Sequence, residues 1–463
     1  MSNLTDKIYS YSPLWLQNAG ISAFGYKWKQ RRFGGIFKEQ VKLFKERESF
    51  TKQEWLDYQT LELRKLLVHA FDNVPFYKEK YSRLGFTIDS FRKFELQDLG
   101  KLPFLTKQEL RKFGTSSLIS LIREPGGSFF SSSGSTGTPV KILYSHAFHQ
   151  KISAVMEARV RNWAGVTNEM PRGMIGGRRI ISDATDKPPF YRYNFFEKQT
   201  YFSAYHISKK NVPDYLKGIK KNKVSYMTGY AMSNYLLASM LGDAGAIVPK
   251  LEAVITSSEK LTDNMRKVFT QVYGCKVYDS YSGVENCGLI SEHPSGDLLI
   301  SNDVGIIETI DANEEPIDSE GEFEIACTGL LNYDQPLIRY RIGDCITRTG
   351  ITKSKSGILM PLVNSISGRV EDVITTSDGK KMVRFHGIFI DLRGVTEAQI
   401  IQHNFSSYTV KVVTNNNFSL MDRNTIIKRM VSQLGEVQIN ILEVNEIERL
   451  KSGKLKAVVS EMI

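Results

Sequence analysis

The chain has 463 residues, of which 41% are hydrophobic and 24% are charged. This composition excludes a wholly disordered chain, a collagen and a low-complexity scaffold. The length allows about three domains, or one large α/β domain with a small appendage. Lys and Arg number 61 against 50 Asp and Glu. The resulting net charge of +11 favours an anionic partner such as a nucleotide, CoA, nucleic acid or an acidic membrane.

Cysteine usage and hydropathy narrow the class of protein. The four cysteines are too few for a disulfide framework, and none has the CxxC spacing of a structural zinc site. No run reaches the roughly 18 apolar residues of a membrane span, and the N-terminus carries Asp6 and Lys7 instead of an apolar signal region. No basic-aromatic nucleic-acid module occurs. We therefore expect a soluble, cytoplasmic protein that does not bind nucleic acid.

The first hundred residues are predicted to be helices that wrap the rest of the chain. Residues 55–81 repeat apolar side chains at helical spacing, namely Leu56, Leu61, Leu63, Leu66, Leu67 and Phe71. Upstream, a basic run from Lys27 to Arg47 contains eight lysines and arginines. We interpret this run as a solvated helical face, and peripheral contact with an acidic membrane is the alternative.

From about residue 223, short apolar runs alternate with helical stretches, which is the pattern of βαβ units and a parallel sheet. The predicted order is strand 224–227, helix 233–241, strand 251–256, helix 263–272 and strand 276–279. Ligands of such sheets bind beyond the carboxyl ends of the strands. The loops after Thr256 and Asp279 are therefore candidate site loops.

Beyond about Gly368 the pattern predicts a small α+β lobe. Its strands are expected at 382–390, 408–413 and 437–444, and its helix at 424–434. We therefore predict a helical region 1–100, a main domain 101–368 and a small mobile C-terminal domain 369–463. The hinge is expected at 368–372.

The densest chemical signal is SSSGSTGTP at 131–139, which crowds six hydroxyl side chains around two glycines. Glycines let backbone N–H groups approach an anion, and hydroxyls add donors, so this composition suits a polyphosphate. The segment lacks the GxxxxGK of a Walker A loop. A flexible connection is the alternative interpretation.

Four further residues have functional and ordinary interpretations. In YDSYSGVE at 278–285, Glu285 can hold Mg²⁺ and Tyr281 can stack on a base. In PLIRYRIGD at 336–344, Asp344 follows a glycine and can accept from ribose hydroxyls. In GRVEDVI at 368–374, Arg369 offers bidentate phosphate recognition. Each can equally be a turn or surface residue.

The last chemical signal is LKSGKLKAV at 450–458, which places Lys454 beside a glycine turn in the lobe predicted to be mobile. A flexible ammonium suits transient stabilisation of phosphoryl or carboxylate charge. A solvated terminal lysine is the alternative.

The order and spacing of these motifs resemble the adenylate-forming enzymes, in the branch of phenylacetate–CoA ligase and the CapK-type proteins of polysaccharide clusters. The resemblance covers nearly the whole chain and includes NVPFYKEKY at 73–81, LPFLTK at 102–107 and ITSSEKL at 255–261. It implies the adenylate-forming fold, an α/β architecture in which a large N-terminal domain with mixed and parallel sheets precedes a small α+β C-terminal lobe. It also implies that ATP and a carboxylate give acyl-AMP and pyrophosphate, after which an acceptor displaces AMP.

The resemblance assigns nucleotide-binding roles to ten positions. The phosphate loop would be Ser133, Gly134, Ser135, Thr136, Gly137 and Thr138. Ser258 and Glu259 would line adenine, Tyr281 would stack on it, and Asp344 would hold the ribose hydroxyls.

The implied catalytic residues are Glu285, Arg369 and Lys454. Glu285 would bind Mg²⁺, Arg369 the ribose and phosphate side, and Lys454 the acyl carboxylate and the α-phosphate. Asp372 would lie near the hinge. The implied cofactors are ATP, Mg²⁺ and CoA, because attack of one anion on another requires charge neutralisation and positioning.

The chain departs from the family pattern where YSGVE replaces YGxTE. Val284 lacks the hydroxyl that would contact the α-phosphate, and Ser282 is a candidate replacement. Cys287 and His293 lie near this loop, but they are interpreted as a buried thiol and a surface imidazole, because two ligands do not make a zinc site.

Three functions remain open from the sequence. The leading hypothesis is acyl transfer to CoA. The alternatives are transfer to an amine or sugar in polysaccharide biosynthesis, and a non-catalytic nucleotide-binding descendant. The acid is not specified, although several aromatic and histidine side chains are candidates for bordering its pocket: His146, His149, Tyr205, His206, Tyr230 and Tyr281.

Overall fold

The computed structural model describes residues 9, 11–131, 139–178, 180–181, 187–311, 313–348, 350, 354–367, 374–376, 381–382, 386–389, 392, 394–448 and 456–462. The N-terminal part is helical, as predicted. Its helices are α1 (Leu14–Phe33), α2 (Phe37–Glu46), α3 (Lys52–Asn73), α4 (Pro75–Ser82), α5 (Ile88–Arg92) and α6 (Lys107–Phe113).

The predicted helical run 55–81 is divided between α3 and α4. Val74 adopts an extended conformation and Pro75 opens α4, because proline lacks an N–H and disfavours a helical residue before it. Leu63, Leu66 and Leu67 are buried as expected, whereas Leu56 and Leu61 are largely exposed. Leu61 lies on the face of α3 opposite its buried stripe, and Leu56 lies in the first turns.

The basic run 27–47 is only partly solvated, which corrects its interpretation as a solvated face. Arg32 forms an ion pair with the buried Glu197, and Arg47 lies 3.3 Å from the buried Asp303. Arg31 donates to the carbonyl of Tyr144 at 2.7 Å. These arginines therefore bind the N-terminal helical region to residues of the rest of the chain.

The chain then forms a hairpin of β1 (Ser128–Ser131) and β2 (Lys141–Tyr144), followed by α7 (His146–Met156). Strands β1 and β2 are antiparallel, with Ser131 opposite Lys141. Helix α7 begins at a cap in which Ser145 accepts from the backbone N–H of Phe148.

A nine-stranded sheet with the order β14-β10-β9-β8-β7-β6-β3-β5-β4 occupies the middle of the molecule. Its strands are β3 (Arg172–Gly176), β4 (Tyr191–Asn194), β5 (Gln199–Ser203), β6 (Tyr226–Tyr230), β7 (Ala253–Ser257), β8 (Lys276–Tyr281), β9 (Ile290–Glu292), β10 (Leu298–Ile300) and β14 (Leu362–Val363). Helices α8 (Val212–Lys221), α9 (Ala231–Asp243) and α10 (Asp263–Tyr273) connect its parallel part.

Strands β5, β3, β6, β7 and β8 are parallel neighbours. The predicted βαβ units after residue 223 are confirmed. The expectation that the parallel pattern starts at residue 223 is wrong, since β3 begins at Arg172. Strand β3 escaped notice because Arg172, Gly173 and Gly176 dilute its apolar pattern.

A second, antiparallel sheet has the order β11-β12-β13-β15. It consists of β11 (Gly305–Ile310), β12 (Gly321–Gly329), β13 (Tyr340–Arg348) and β15 (Ser365–Ser367). Side chains of the N-terminal helices and of both sheets share one apolar core, which includes Leu66, Tyr77, Ile255, Leu289 and Ile338.

The C-terminal lobe has its own core around Ile400, Val410, Ile426 and Met430. Its elements are β16 (Ile374–Thr375), β17 (Lys381–Met382), α11 (His386–Phe389), β18 (Val395–Gln402), β19 (Ser407–Thr414), α12 (Leu420–Leu434), β20 (Gln438–Glu443) and β21 (Val458–Ser460). The strands order as β20-β19-β18-β21.

Two strands and the longer helix of this lobe were predicted, and its other elements were not. The strand expected at 382–390 is wrong, since residues 386–389 are helical. Strand β18 lies inside the sheet but was missed, because Glu397, Gln399 and Gln402 interrupt its apolar pattern. The architecture agrees with the predicted α/β class with a small α+β lobe. No helix in the described ranges has the length and apolar content needed to cross a bilayer.

Candidate active site

The carboxyl ends of β6, β7 and β8 lie side by side. Tyr230 pairs with Ser257, and Ser257 pairs with Ser280. The predicted residues Ser258, Glu259 and Tyr281 therefore sit at or directly after neighbouring strand ends, where open parallel sheets bind ligands.

The turn after β7 is held against the start of α9. Ser258 has φ +68, a left-handed conformation that is uncommon for a non-glycine residue. Glu259 Oε2 accepts from the backbone N–H of Met232 at 2.8 Å, in the first turn of α9, where a carboxylate is favoured. Glu259 therefore positions this turn.

Tyr281 and Asp344 come from sequence motifs 63 residues apart and meet in space. The Tyr281 hydroxyl donates to Asp344 Oδ2 at 2.9 Å. Gly343 has φ +80, so the irregularity in β13 just before Asp344 favours glycine. Burial and the adjacent Asp344 charge raise the pKa of Tyr281, which keeps the phenol protonated.

Glu285 is a buried carboxylate at the base of this site. Tyr340 donates to Glu285 Oε1 at 3.4 Å. A Cβ on Gly283 would lie 2.4 Å from Glu285 Oε2, so a side chain at this position would displace the carboxylate from where it lies. Burial raises the pKa of Glu285, the charge of Asp344 adds to this effect, and Lys107 opposes it.

The loop that carries Glu285 is fixed by Tyr144 at the end of β2. The Tyr144 hydroxyl donates to the carbonyl of Val284 at 2.6 Å and accepts from Asn286 Nδ2. Ser282 donates to Asn286 Oδ1 at 2.6 Å, so its hydroxyl is engaged within the loop. The roles of Tyr144, Asn286 and Tyr340 were missed, although Tyr144 ends the strand-like run that follows the phosphate-loop motif.

The two arginines of RYRIGD are structural. Arg339 pairs with Glu308 at 2.9 Å, and Arg341 pairs with Glu324 at 2.7 Å. The backbone N–H of Leu105 donates to the Arg339 carbonyl at 3.1 Å, and that of Arg341 donates to the Leu105 carbonyl at 3.0 Å. The LPFLTK and RYRIGD motifs are thereby joined, and Asp344 is the residue of the second motif that meets Tyr281.

Nine predicted site residues lie outside the described residues. They are Ser133, Gly134, Ser135, Thr136, Gly137, Thr138, Arg369, Asp372 and Lys454. Their roles stay predictions.

Helix α7 contains two histidines, and one of them, His149, is buried against Tyr144, the residue that contacts the loop carrying Glu285. Arg31 Nε donates to His149 Nδ1 at 3.1 Å, and the rings of Trp28, Phe130 and Tyr144 surround the imidazole. Burial, with the charges of Arg32 and Arg31, lowers the pKa of His149 to about 3. This histidine is therefore neutral at physiological pH.

The cysteine and histidine near the site loop do not form a metal centre in the described part of the chain. Cys287 is buried and in hydrogen-bonding contact with Cys327, as expected of a structural thiol. His293 Nδ1 bonds to Ser295 at 2.9 Å. Among the described residues, no three His, Cys, Asp or Glu side chains are grouped to hold a metal ion.

Comparisons with known proteins find similarity to CapK and to phenylacetate–CoA ligases. The family model described as the CapK C-terminal domain matches residues 374–461. The chain is 24% identical to Protein CapK of Staphylococcus aureus, covering 98% of this chain and 99% of that protein. It is 25% identical to the phenylacetate-coenzyme A ligase of Escherichia coli K12, covering 71% of this chain and 74% of the ligase.

A solved structure of 2-hydroxyisobutyryl-CoA ligase, in complex with 2-HIB-AMP and CoA in the thioesterification state, superposes with a TM-score of 0.57 at 17% identity. The match covers 89% of this chain and 91% of the ligase. The architecture described above is therefore the fold of the adenylate-forming ligases. In sequence, the chain is similar to CapK over nearly its full length and to phenylacetate–CoA ligase over about 70% of it.

Proposed function

We propose that the protein is an ATP-dependent, AMP-forming ligase that activates a carboxylate as acyl-AMP and transfers the acyl group to CoA. The observation that carries this proposal is that Tyr281 at the end of β8 meets Asp344 of β13, with Glu285 in the loop that follows β8. An aromatic ring and a ribose-binding acid next to a buried carboxylate suit a nucleoside triphosphate.

The residues around Glu285 fit a Mg²⁺ ion that arrives with the nucleotide. Mg²⁺ is commonly bound by one or two carboxylates together with substrate phosphates and water, and Glu285 supplies one carboxylate. When bound, the ion would neutralise phosphate charge. Gly283 and Tyr340 keep the carboxylate open and oriented, and the proposal assigns ATP phosphates to Ser133–Thr138 and Arg369.

The proposal assigns the remaining chemistry to the C-terminal lobe. Lys454 would contact the acyl carboxylate and the α-phosphate, and Asp372 would lie at the hinge. A lysine on a mobile lobe can be present for adenylation and withdrawn for transfer. The names of two relatives support CoA as the acceptor, since both are CoA ligases. A cytoplasmic location, where ATP and CoA are found, is part of the proposal.

A second candidate is transfer to an amine or sugar in polysaccharide biosynthesis. The full-length match to Protein CapK favours it, because the matches to phenylacetate–CoA ligases cover less of the chain. The third hypothesis, a nucleotide-binding descendant without catalysis, is supported by Val284 and by the engagement of Ser282 with Asn286.

The decisive measurement is carboxylate-dependent pyrophosphate release from Mg·ATP, with hydroxylamine as trapping acceptor and a panel of acids. We expect release with at least one acid, and a loss of at least a hundredfold in Glu285→Gln. Glu322→Gln is the matched control, since Glu322 is exposed on β12. The melting temperature of Glu285→Gln should not be lower than that of the wild type, because burial already disfavours the charged carboxylate.

Acceptor choice follows from the same assay. AMP formation that requires CoA supports the leading proposal, and AMP formation that requires an amine or amino sugar supports the second. ATP binding by calorimetry without pyrophosphate release for any acid would support the third hypothesis. Absence of both would overturn the nucleotide assignment.

A further inference from the structure

Four exposed aromatic side chains lie on α1 and on the turn between β4 and β5, and we call them the aromatic surface. Tyr26, Phe195 and Phe196 cluster together, and Trp15 lies about three turns before Tyr26 on the same face of α1. Trp15 is 70% exposed, Tyr26 51%, Phe195 68% and Phe196 41%. The ring centroids of Tyr26 and Phe196 lie 5.0 Å apart, and those of Phe195 and Phe196 lie 5.7 Å apart. Clustered exposed rings of this kind mark interaction sites.

The aromatic surface is held in place by the polar side of α1. Asn18 Oδ1 accepts from the Tyr193 N–H at 3.0 Å, and Ser22 Oγ accepts from the Phe195 N–H at 3.1 Å. A Cβ on Gly25 would lie 2.1 Å from Asn194 Nδ2, so glycine permits close packing of α1 on the turn. The polar side chains of α1 therefore bond to the backbone of the β4–β5 hairpin, whereas the rings of Phe195 and Phe196 remain exposed to solvent.

The charges beside these rings are positive. Lys27 and Lys198 are exposed, and α1 contains no acidic residue. The acid of the β4–β5 hairpin, Glu197, is buried and pairs with Arg32 and with Arg172. On the neighbouring rim, Glu169 pairs with Lys29 at 3.3 Å.

We propose that the aromatic surface is a docking site for an anionic lipid bilayer. Trp and Tyr are favoured at membrane interfaces, where an apolar ring and a polar edge both find partners. The four rings would enter the boundary between headgroups and acyl chains, while Lys27 and Lys198 would contact lipid phosphates. The proposal goes beyond the ligase function and does not depend on it.

A second copy of the chain fits this surface less well. The exposed parts of the four rings amount to about 400–500 Å², which is below the roughly 800 Å² that each partner buries in a standard interface. A twofold contact would also bring the lysines of the two copies near each other, because such an interface uses the same patch on both subunits.

Vesicle sedimentation of the full chain tests the proposal. We expect binding to vesicles of equal parts phosphatidylglycerol and phosphatidylcholine, and binding at least tenfold weaker to phosphatidylcholine alone. Phe195→Ser combined with Phe196→Ser should weaken binding to the anionic vesicles at least tenfold. The control Phe405→Ser removes another exposed phenylalanine, in the turn between β18 and β19, and should bind like the wild type.

Charge variants and hydrodynamics complete the test. Lys27→Gln combined with Lys198→Gln should weaken binding to anionic vesicles on the order of tenfold and leave binding to neutral vesicles unchanged. All variants should have the melting temperature of the wild type. In the absence of lipid, they should also release pyrophosphate at the wild-type rate. Absence of wild-type binding, or equal loss in Phe405→Ser, would overturn the proposal. So would a wild-type dimer that the double phenylalanine variant dissociates.

Discussion

His149 is a neutral imidazole whose surroundings oppose its protonation. Arg31 Nε donates to Nδ1, so the proton of the neutral ring is on Nε2. Arg32 and His146 also face the ring and disfavour a positive charge there. A histidine of this kind links the stability of the protein to pH.

The sign of this linkage follows from the two states. The pKa of His149 is about 3 in the folded protein and about 6.5 in an unfolded chain. Between these values the unfolded state binds more protons, so stability rises with pH. The contribution of His149 is complete above pH 6.5 and is lost progressively as the pH falls from 6.5 to about 3.

We predict that acidification from pH 7 to pH 5 lowers the free energy of unfolding by about 1–2 kcal/mol through His149. Urea unfolding at the two pH values measures this loss. His149→Gln should reduce it, whereas His403→Gln, at an exposed position in the C-terminal lobe, should not. Equal pH dependence in the wild type and His149→Gln would contradict the prediction.

At the scale of elements, Tyr144 connects β2 to the loop after β8. Its hydroxyl contacts Val284 and Asn286, on either side of Glu285. The strand-like run 276–279 was predicted from its apolar pattern, but this contact was not, because residues 144 and 284 are far apart in sequence. One phenol thus couples the hairpin that flanks the phosphate-loop motif to the predicted metal ligand.

We predict that Tyr144→Phe lowers the free energy of unfolding by about 1–2 kcal/mol, because the partly buried Val284 carbonyl and Asn286 amide lose their partner. If the ligase proposal holds, KM for ATP should rise as well, since Glu285 is less firmly held. Chemical unfolding and pyrophosphate release measure the two effects. Tyr235→Phe is the control, because its hydroxyl accepts a hydrogen bond from the exposed Asn264. A similar loss in that variant would refute the role of Tyr144.

At the scale of the molecule, a buried ion pair joins distant parts of the chain. Arg159 and Asp303 side chains are fully buried, and Arg159 Nη2 donates to Asp303 Oδ2 at 2.8 Å. Arg159 also donates to the carbonyl of Phe44 at 2.9 Å, and Arg47 approaches Asp303 at 3.3 Å. Helix α2 is therefore tied to the segment before β11 through a shared charge network.

We predict that Asp303→Asn destabilises the protein by about 3–5 kcal/mol, because it leaves the buried Arg159 charge without its counter-ion. Thermal and urea unfolding check this loss. Asp318→Asn removes an acid that pairs with Arg348 on the surface, where ion pairs contribute about 0–1 kcal/mol. Comparable losses in the two variants would show that burial of the network is not the cause.

The sequence by itself determined the class of fold, and it named the five candidate site residues that lie in the described part of the structure. Periodic apolar runs predicted the βαβ units from β6 to β8, because local periodicity directly reflects which face of an element is buried. Strand ends then predicted where Ser258, Glu259 and Tyr281 lie, and motif order supplied Asp344 and Glu285.

Only the tertiary structure decided which of these residues touch and which side chains support them. The pairs Tyr281 with Asp344, Glu285 with Tyr340, and Tyr144 with Val284 join segments that are 55 to 140 residues apart. The inward turn of Arg31 and Arg32 likewise depends on where α1 packs. Such contacts are long-range consequences of packing, and no local pattern of residues encodes them.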